Sequence, residues 1–391
     1  MNTFIQKRLP HLATVFTAFA LCSASARGAG GTVVAWGYNL YHQTNVPVTL
    51  TNAIAIAATF SNSLALKADG GLTNWGSESG VPPALNTSNL VAITAGGNHY
   101  LVLTADGVVD GFGYWGARSR MPADVFNATN IVAIGAGGFH NLVLECDGTV
   151  RAWGYGSYGQ TNVPAGLSNV TAIACGAYHN LALRADGTVV AWGAGTNGAG
   201  TFYNYDFGQS IVPAGLSGVV AIAGGDCHSL ALKSDGTVVG WGHNDFGQTN
   251  APADLSNVVA IAAGVSCSLA LKSDGTVVAW GANFYGQTNV PAGLSNVIAI
   301  ALGPEATAAL AIVGSAPPAC QVPLANSSFG PDGFSVSLPT QSGRVYALEY
   351  QDALSNGTWT ALPLAAGNGC TLTLTDPTAA GIQRFYRVRQ W

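Results

Sequence analysis

The sequence predicts an all-β protein: a seven-bladed β-propeller followed by a small antiparallel β-sandwich. A unit of about 40 residues recurs seven times, and most units contain an Asp-Gly turn between two apolar stretches. The array also begins and ends partway through a unit, and the partial units at its two ends together make one complete unit. The 391 residues are 48 % hydrophobic and 8 % charged, which excludes a disordered chain because ample apolar surface is available for burial.

The first 26 residues have the composition of a secretory signal peptide. Lys7 and Arg8 precede an apolar run over residues 12–22, and Ala24 and Ala26 supply the small residues of a cleavage site. The run is shorter than the about 20 apolar residues that span a bilayer, and no later segment qualifies. We expect cleavage after Ala26, with a retained anchor as the alternative. The protein is then secreted or in the cell envelope, without a membrane span.

Removal of this segment makes the chain more acidic. It takes away two basic residues and no acidic one, so the net charge changes from −5 to −7. Because binding to phosphate backbones depends on Lys and Arg, we expect no nucleic-acid partner. We expect the mature protein to be a monomer.

One aromatic side chain marks the same position in each unit. The spacings between successive members are 39, 37, 41, 39, 49 and 39 residues. The members, predicted to be structural, are Trp36, Trp75, Phe112, Trp153, Trp192, Trp241 and Trp280.

Four short strands are expected in each unit, as in a propeller blade. Strand A is an Ala/Val/Ile run such as 258–263, and strand B is a Leu-Ala-Leu stretch such as 229–232. Strand C follows the Asp-Gly turn, as at 237–241, and strand D follows a Gly-Gln-Thr-Asn-Val-Pro segment such as 286–291.

The ends of the array predict a closed ring. Residues 32–46 supply strands C and D of one unit, and residues 297–313 supply strands A and B. Closing the ring pairs these halves and removes the bare edges of an open array. The predicted domains are a signal peptide at 1–26, the propeller at 27–314, a linker at 315–333 and the sandwich module at 334–391.

The repeats resemble those of the regulator of chromosome condensation family. Its units combine a Gly-x-x-His-x-Leu-Ala-Leu strand, an Asp-Gly turn and a Trp-Gly-x-Asn-x-x-Gly-Gln loop, which match residues 176–183, 274–275 and 280–287. The Gln-Thr-Asn-Val-Pro-Ala segment at 287–292 is similar to a secreted bacterial branch of that family that includes a protein inhibitor of β-lactamases. The resemblance implies a propeller that binds other molecules.

The tail contains five stretches that alternate apolar and polar residues, as half-buried strands do. They are 334–338, 345–350, 358–362, 370–374 and 385–389. The tail resembles C-terminal β-sandwich modules of exported bacterial proteins in its Tyr-x-Leu-x-Tyr, Asn-x-Thr-Trp and Phe-Tyr-Arg-Val motifs. Cys320 and Cys370 bracket the module. In an exported protein they form either a disulfide or two buried thiols.

Four histidines share the first position of strand B: His99, His140, His179 and His228. The family resemblance implies that they tie neighbouring strands together, and a metal site is the less favoured alternative. The remaining cysteines form no CxxC pair, and the G-x-G-x-x-G run at 193–198 precedes no helical pattern. We therefore expect no metal, no cofactor, no catalytic residue and no enzymatic activity.

Aromatic residues in two sets of loops are the candidate ligand-binding residues. In a meander the A–B and C–D connections emerge on one face, and aromatic side chains there are good anchors at protein interfaces. An insertion of ten residues before Phe207 belongs to a C–D loop and either carries exposed anchors or folds onto the blade edge. The candidates are Phe60, Phe139, Tyr178, Phe202, Tyr203 and Tyr205.

Phe207 itself belongs to a regular column that we expect to pack within the blades. The column comprises Tyr41, Tyr158, Phe207, Phe246 and Tyr285.

These features predict an exported, non-enzymatic binding or scaffold protein that recognises a protein or a cell-surface ligand through the A–B/C–D loop face. One alternative is carbohydrate binding or glycan hydrolysis at the propeller centre. Another is guanine-nucleotide exchange, which rests on the family resemblance alone.

Overall fold

The computed structural model of the chain describes residues 5–6, 30–77, 85, 89–113, 121–196, 205–314, 326–330, 333–340, 344–351, 359–367, 371–379 and 384–390. Within these ranges the chain is nearly all β, with one short helix, Ala123–Phe126. No helix there is long and apolar enough to cross a membrane. The predicted signal peptide lies outside the described residues, apart from Ile5–Gln6.

Seven antiparallel three-stranded sheets form the blades, each with strand B between strands A and C. From blade 1 to blade 7, strand A spans Ala53–Ala58, Leu90–Ala95, Ile131–Ala136, Val170–Cys175, Val219–Gly224, Val258–Ala263 and Val297–Ala301. Strand B spans Asn62–Lys67, His99–Thr104, His140–Glu145, His179–Arg184, His228–Lys233, Cys267–Lys272 and Ala308–Val313. Strand C spans Leu72–Gly76, Val109–Gly113, Val150–Gly154, Val189–Gly193, Val238–Gly242, Val277–Gly281 and, for blade 7, Thr32–Gly37.

The ring closes as the sequence predicts. Strand C of blade 7 comes from the start of the array and pairs with strand B from its end, with Ala35 opposite Leu310 and Trp36 opposite Ala309. The seven-bladed propeller is thereby confirmed. Closure makes each blade a neighbour of two others, so the loops of one face have fixed relative positions.

The expected fourth strand is wrong. Each blade has three strands in the described residues, and the segment after Gly-Gln runs beside strand C without a ladder. A Cβ on Gly240 would lie 2.6 Å from the Thr249 carbonyl oxygen, so the two backbones are in contact. The segment makes local turns instead, for example from the Asn250 N–H to the Gly247 carbonyl at 3.0 Å. The proline that follows in most units has no N–H to donate to a ladder.

The Leu-Ala-Leu pattern of strand B reflects the packing of adjacent blades. In blade 4, Leu181 and Leu183 belong to the cluster that includes Ala231 of blade 5. Ala182 belongs to the cluster on the other side, with Leu142 of blade 3. Large side chains of one blade thus meet small ones of the next, which gives the dense packing of protein interiors.

Strand A of every blade lines a central channel. The cavity has a volume of about 250 Å³, and between its isoleucines most of the lining residues are alanine or glycine. Each blade contributes one isoleucine: Ile56, Ile93, Ile134, Ile173, Ile222, Ile261 and Ile300.

Two antiparallel sheets form the C-terminal sandwich. One contains Asn326–Gly330, Gly333–Pro339 and Thr371–Asp376. The other contains Val345–Gln351, Phe385–Gln390 and the two-residue strands Thr360–Ala361, Ala365–Ala366 and Ile5–Gln6. Strand Asn326–Gly330 lies in the segment predicted as a linker and pairs with Gly333–Pro339.

The sandwich contacts the propeller where the B–C turns emerge. The Leu364 N–H donates to the carbonyl of Ser234, which precedes the Asp-Gly turn of blade 5, at 3.2 Å. Val345 and Ala347 are buried in clusters shared with strands of blades 5 to 7. The described part of the module therefore lies on the face opposite to the A–B and C–D loops.

Candidate functional site

The A–B and C–D loops meet on one face, as the strand directions require. The Gln43 side chain, in the C–D loop of blade 7, donates to the carbonyl of Phe60 in the A–B loop of blade 1 at 3.2 Å. The rings of Tyr38 and Phe60 are 6.2 Å apart between centroids. At this junction of blades 7 and 1 the two kinds of loop are therefore in contact.

A buried glutamine holds each described C–D loop in place. Its Oε1 accepts the backbone N–H of the aromatic residue two positions earlier, as from Tyr285 to Gln287 at 2.8 Å. Its carbonyl accepts the indole N–H of the tryptophan in the next blade, as from Trp36 to Gln287 at 3.0 Å. The same pair of contacts recurs at Gln43, Gln160, Gln209 and Gln248.

The described loops form three clusters of aromatic rings, which together we call the aromatic face. The first cluster contains Tyr38, Tyr41, Phe60 and Tyr285. The second contains Phe139, Tyr155, Tyr158, Tyr178 and Tyr205. The third contains Phe207, His243, Phe246 and Phe284.

Tyr205, from the insertion, is fixed on the second cluster in a strained backbone conformation. Its φ is +48°, a region that a residue with a Cβ adopts at a cost of about 1–2 kcal/mol. Its ring lies 4.2 Å from that of Tyr178 and 5.6 Å from that of Tyr158, and its carbonyl accepts a hydrogen bond from Gln209. Strain of this kind concentrates at functional sites.

The regular aromatic column packs only in part as expected: Tyr41, Tyr158 and Phe207 are half-buried, whereas Phe246 and Tyr285 are exposed. Phe246 and Tyr285 are 43 % and 53 % exposed, and Phe284, beside the column, is 69 % exposed. In all five loops the glutamine two residues after the ring is buried, so the interior position belongs to the glutamine and not to the ring.

The structure places four of the six candidate ligand-binding residues on the aromatic face. Phe60 lies in the first cluster, and Phe139, Tyr178 and Tyr205 lie in the second. Phe202 and Tyr203 lie outside the described residues.

Sequence reasoning missed further rings on this face. Tyr38, Tyr155 and His243 all stand two positions after the repeat tryptophan, so the signal that could have found them is a second variable column, directly after Trp-Gly.

Two carboxylates lie near the mouth of the channel on this face. A Cβ on Gly97 or on Gly138 would come within 2.5 or 2.4 Å of a Glu305 carboxylate oxygen, so that group lies against the A–B loops of blades 2 and 3. Burial and the charge of Asp226 raise the pKa of Glu305 to about 7. Burial also raises the pKa of Asp226 to about 6.

The four histidines lie between blades, each bonded to strand B of the next blade. Burial lowers the pKa of His140 to about 4 and those of His179 and His228 to about 3. The pairs are His99 with Asn141 at 2.8 Å, His140 with Asn180 at 2.7 Å, His179 with Ser229 at 2.9 Å and His228 with Ser268 at 3.0 Å.

In the described ranges, no group of three His, Cys, Asp or Glu side chains could hold a metal ion. The cysteines there, Cys146, Cys175, Cys227 and Cys267, are free thiols. Cys320 and Cys370 lie outside the described residues, so the disulfide remains a prediction.

The repeat units define the class of protein. Residues 131–160, 170–199, 219–248 and 258–287 match the regulator of chromosome condensation (RCC1) repeat, which here begins at strand A of blades 3 to 6. Four of the seven blades therefore contain RCC1 repeats. No curated relative matches it.

Solved structures similar to this chain include yeast RCC1 (Prp20). Prp20p from Saccharomyces cerevisiae, described with its binding to Gsp1p and histones, is 19 % identical, with a TM-score of 0.58 over 74 % of this chain and 93 % of that one. Yeast RCC1 (Prp20) bound to Kap60 is 18 % identical, with a TM-score of 0.59 over 79 % and 97 %. Human WBSCR16 is 17 % identical, with a TM-score of 0.56 over 72 % and 100 %. At these identities the similarity shows the fold alone.

Proposed function

We propose that the chain is an exported, non-enzymatic binding protein that recognises a protein or cell-surface ligand through its aromatic face. The observation that carries the proposal is the set of three ring clusters, partly exposed and fixed by buried glutamines. Rigid Tyr and Phe side chains supply large contact area at low entropic cost. The similar yeast protein, described as binding Gsp1p and histones, supports protein recognition on this fold, and the signal-like first segment supports export.

The resemblance of the repeats to the secreted bacterial branch also supports this proposal. That branch includes a protein inhibitor of β-lactamases, which makes a protein the favoured ligand class. The tail module would assist display or attachment, because its described part lies on the opposite face and leaves the aromatic face free.

Removing one ring from each cluster is expected to weaken ligand binding at least tenfold. Anchor residues at interfaces each contribute on the order of 1–2 kcal/mol or more, and the triple variant Phe60→Ala, Tyr205→Ala, Phe284→Ala removes three. Immobilised wild-type protein captures ligands from envelope and culture-medium fractions, and the affinity of the recovered ligand for each purified variant is then measured.

Phe126→Ala is the matched control. Phe126 is 45 % exposed and of the same residue type, but its helix lies on the opposite face, where Asp124 pairs with Arg151 at the start of strand C. Equal affinity of the triple variant and the control for the recovered ligand would contradict the proposal.

Carbohydrate binding or glycan hydrolysis is the second candidate, and the two carboxylates of raised pKa beside aromatic rings favour it. We propose the mouth of the channel for such a site, because the lining of the channel itself contains no carboxylate in the described residues. A glycan array combined with a reducing-sugar assay on the wild type and Glu305→Gln tests it. Nucleotide exchange stays a prediction from family resemblance.

A further inference from the structure

The first and third clusters of the aromatic face join into one row of rings across neighbouring blades. Phe246 of blade 5 lies 5.2 Å from Phe284 of blade 6 between ring centroids. The next residue, Tyr285, lies 4.6 Å from Tyr38 of blade 7, which in turn lies 6.2 Å from Phe60 of blade 1. We call these five rings the ring row. It is long and narrow, which suits an extended segment of a partner.

The most exposed apolar side chains of these loops occupy one repeat position. Leu40 in the C–D loop of blade 7 is 68 % exposed, and Phe284 at the equivalent position of blade 6 is exposed to the same extent. Contiguous exposed apolar surface marks an interaction site. Covering it would stabilise a complex by about 25 cal/mol per Å² removed from water.

The two loops at the centre of the ring row carry no charge. Residues 38–45 and 282–289 contain no Asp, Glu, Lys or Arg. In the neighbouring loop of blade 5, the Asp245 carboxylate lies 3.1 Å from His243 Nε2. A charged partner would lose hydration over this surface without gaining an opposite charge. The complementary segment is therefore uncharged.

The asparagines of these loops use their oxygens internally and keep a donor for a ligand. In blade 6, Asn283 Oδ1 accepts the Thr288 N–H at 3.1 Å, and Asn283 Nδ2 donates to Asn289 Oδ1 at 2.8 Å. In blade 5, Asn244 donates to Asn250 in the same way at 3.0 Å. The Nδ2 groups of Asn250 and Asn289 form no hydrogen bond within the described part of the chain, and both residues are exposed. A ligand rich in acceptors would satisfy them.

We propose that the partner of the aromatic face lays a proline-rich segment, in the polyproline II conformation, along the ring row. The inference rests on the proposed function and names the kind of segment that this face recognises. Such segments dock against aromatic side chains, and because their conformation is preformed they lose little entropy on binding. All their carbonyl groups are free, and proline has no N–H. They therefore supply acceptors to Asn250 and Asn289 without burying unpaired donors.

Other occupants match the ring row less well. A β-strand needs an unpaired backbone edge, whereas the backbone here bonds within turns, as from the Asn289 N–H to the Gly286 carbonyl at 3.0 Å. A neutral glycan presents hydroxyl donors as well as acceptors. The carboxamide oxygens of Asn283 and Asn289 that would receive those donors already accept hydrogen bonds within the loop.

A defined peptide tests the proposal without knowledge of the natural partner. The probe is a fluorescein-labelled oligoproline of about ten residues, which spans about 30 Å, and its control is a Gly/Ser peptide of equal length. Binding to the full chain is followed by anisotropy. We expect the oligoproline to bind wild type at least tenfold more tightly than the Gly/Ser peptide. The variant Phe284→Ala, Tyr285→Ala is expected to abolish this preference, and Phe126→Ala, on the opposite face, to retain it.

A second variant tests the hydrogen-bond donors. Asn250→Asp, Asn289→Asp keeps the oxygens that the loops use and removes the two Nδ2 groups. It should unfold at the same temperature as wild type and bind oligoproline at least fivefold more weakly. A glycan would tolerate this change, because its hydroxyl groups donate to carboxylates.

Several results would overturn the proposal. They are equal binding of the two peptides, retention of the preference by Phe284→Ala, Tyr285→Ala, unchanged oligoproline binding by the asparagine variant, and no proline-dependent binding tighter than a Kd of about 1 mM.

The ligand recovered by affinity capture separates this proposal from the proposed function. Displacement of that ligand by oligoproline would support both. If its affinity falls in the triple aromatic variant but oligoproline does not displace it, or if it is a glycan, the aromatic face binds a ligand and the proline-rich segment is wrong. If the triple variant leaves the affinity unchanged and oligoproline does not bind, both proposals fail.

Discussion

Acidification from pH 7 to about 4.5 is expected to lower the free energy of unfolding on the order of 5 kcal/mol. The cause is the set of four histidines between the blades. Each unfolded imidazole takes up a proton near its ordinary pKa of 6.5, whereas burial holds His140 neutral until about pH 4 and His179 until about pH 3. Each histidine that stays neutral costs up to about 1.4 kcal/mol per pH unit below 6.5. The contribution of the histidines to stability is therefore complete above pH 6.5 and is lost as the pH falls.

Asp226 and Glu305 change the pH dependence of the free energy of unfolding in the opposite direction. Their raised pKa values mean that the folded state binds protons before the unfolded state does, so acidification between pH 7 and 4 relieves a penalty at both sites. Two partly buried carboxylates do not offset four buried imidazoles. The variant Asp226→Asn, Glu305→Gln should accordingly be more stable than wild type near pH 8 and lose more stability on acidification.

Chemical unfolding followed by tryptophan fluorescence at several pH values measures both effects. His179→Asn provides the matched variant, because blade 1 already carries Asn62 at the same position. Its pH dependence should be shallower than that of wild type by the contribution of one histidine. A stability that stays constant or rises on acidification to about pH 4.5 would show that the histidines do not stay neutral in the fold.

The propeller could be predicted because the same sequence pattern recurs in every blade. Each blade carries its own turn, its own Leu-Ala-Leu strand and its own tryptophan, and the half-units at the two ends specify closure. The absence of a fourth strand could not be predicted, because the alternating segment after Gly-Gln has the local pattern of a strand. Only the structure shows that its amides bond within turns, as Asn250 does to Gly247.

The candidate site was predictable only in part, for a physical reason. Loop residues such as Phe60 and Tyr178 stand out as departures from the repeat, and strand direction places them on one face. Exposure of Tyr285 depends on where the Gln287 side chain goes, and the position of Glu305 depends on a contact with blades 2 and 3. Both are relations between residues far apart in the sequence, which periodicity cannot report.

Gly176→Thr is expected to destabilise the propeller by about 3 kcal/mol, the upper part of the range for overpacking. A Cβ at Gly176 would lie 2.0 Å from His179 Cε1 and 2.6 Å from the Gly225 carbonyl oxygen, and real side chains do not approach so closely. The histidine ring would have to move away, and its hydrogen bond to Ser229 would be lost. Gly135→Ala is the control, because its Cβ would meet only the Cys175 Sγ closely.

Blade 1 contains a natural alternative to the glycine–histidine pair of blade 4. Six blades have glycine at this position, and five of the seven have glycine together with His or Cys three residues later; blade 1 has Thr59 together with Asn62. In blade 1 the Thr59 Oγ1 accepts the Asn62 N–H at 2.9 Å. Asparagine is smaller than histidine and leaves room for the Cβ of the threonine.

The double variant Gly176→Thr, His179→Asn should therefore recover stability relative to Gly176→Thr alone, with a coupling on the order of 1–2 kcal/mol. Thermal and urea unfolding of the two single variants and the double variant measure this coupling. Strictly additive losses would mean that the clash with Gly225, and not the histidine ring, determines why glycine occupies this position.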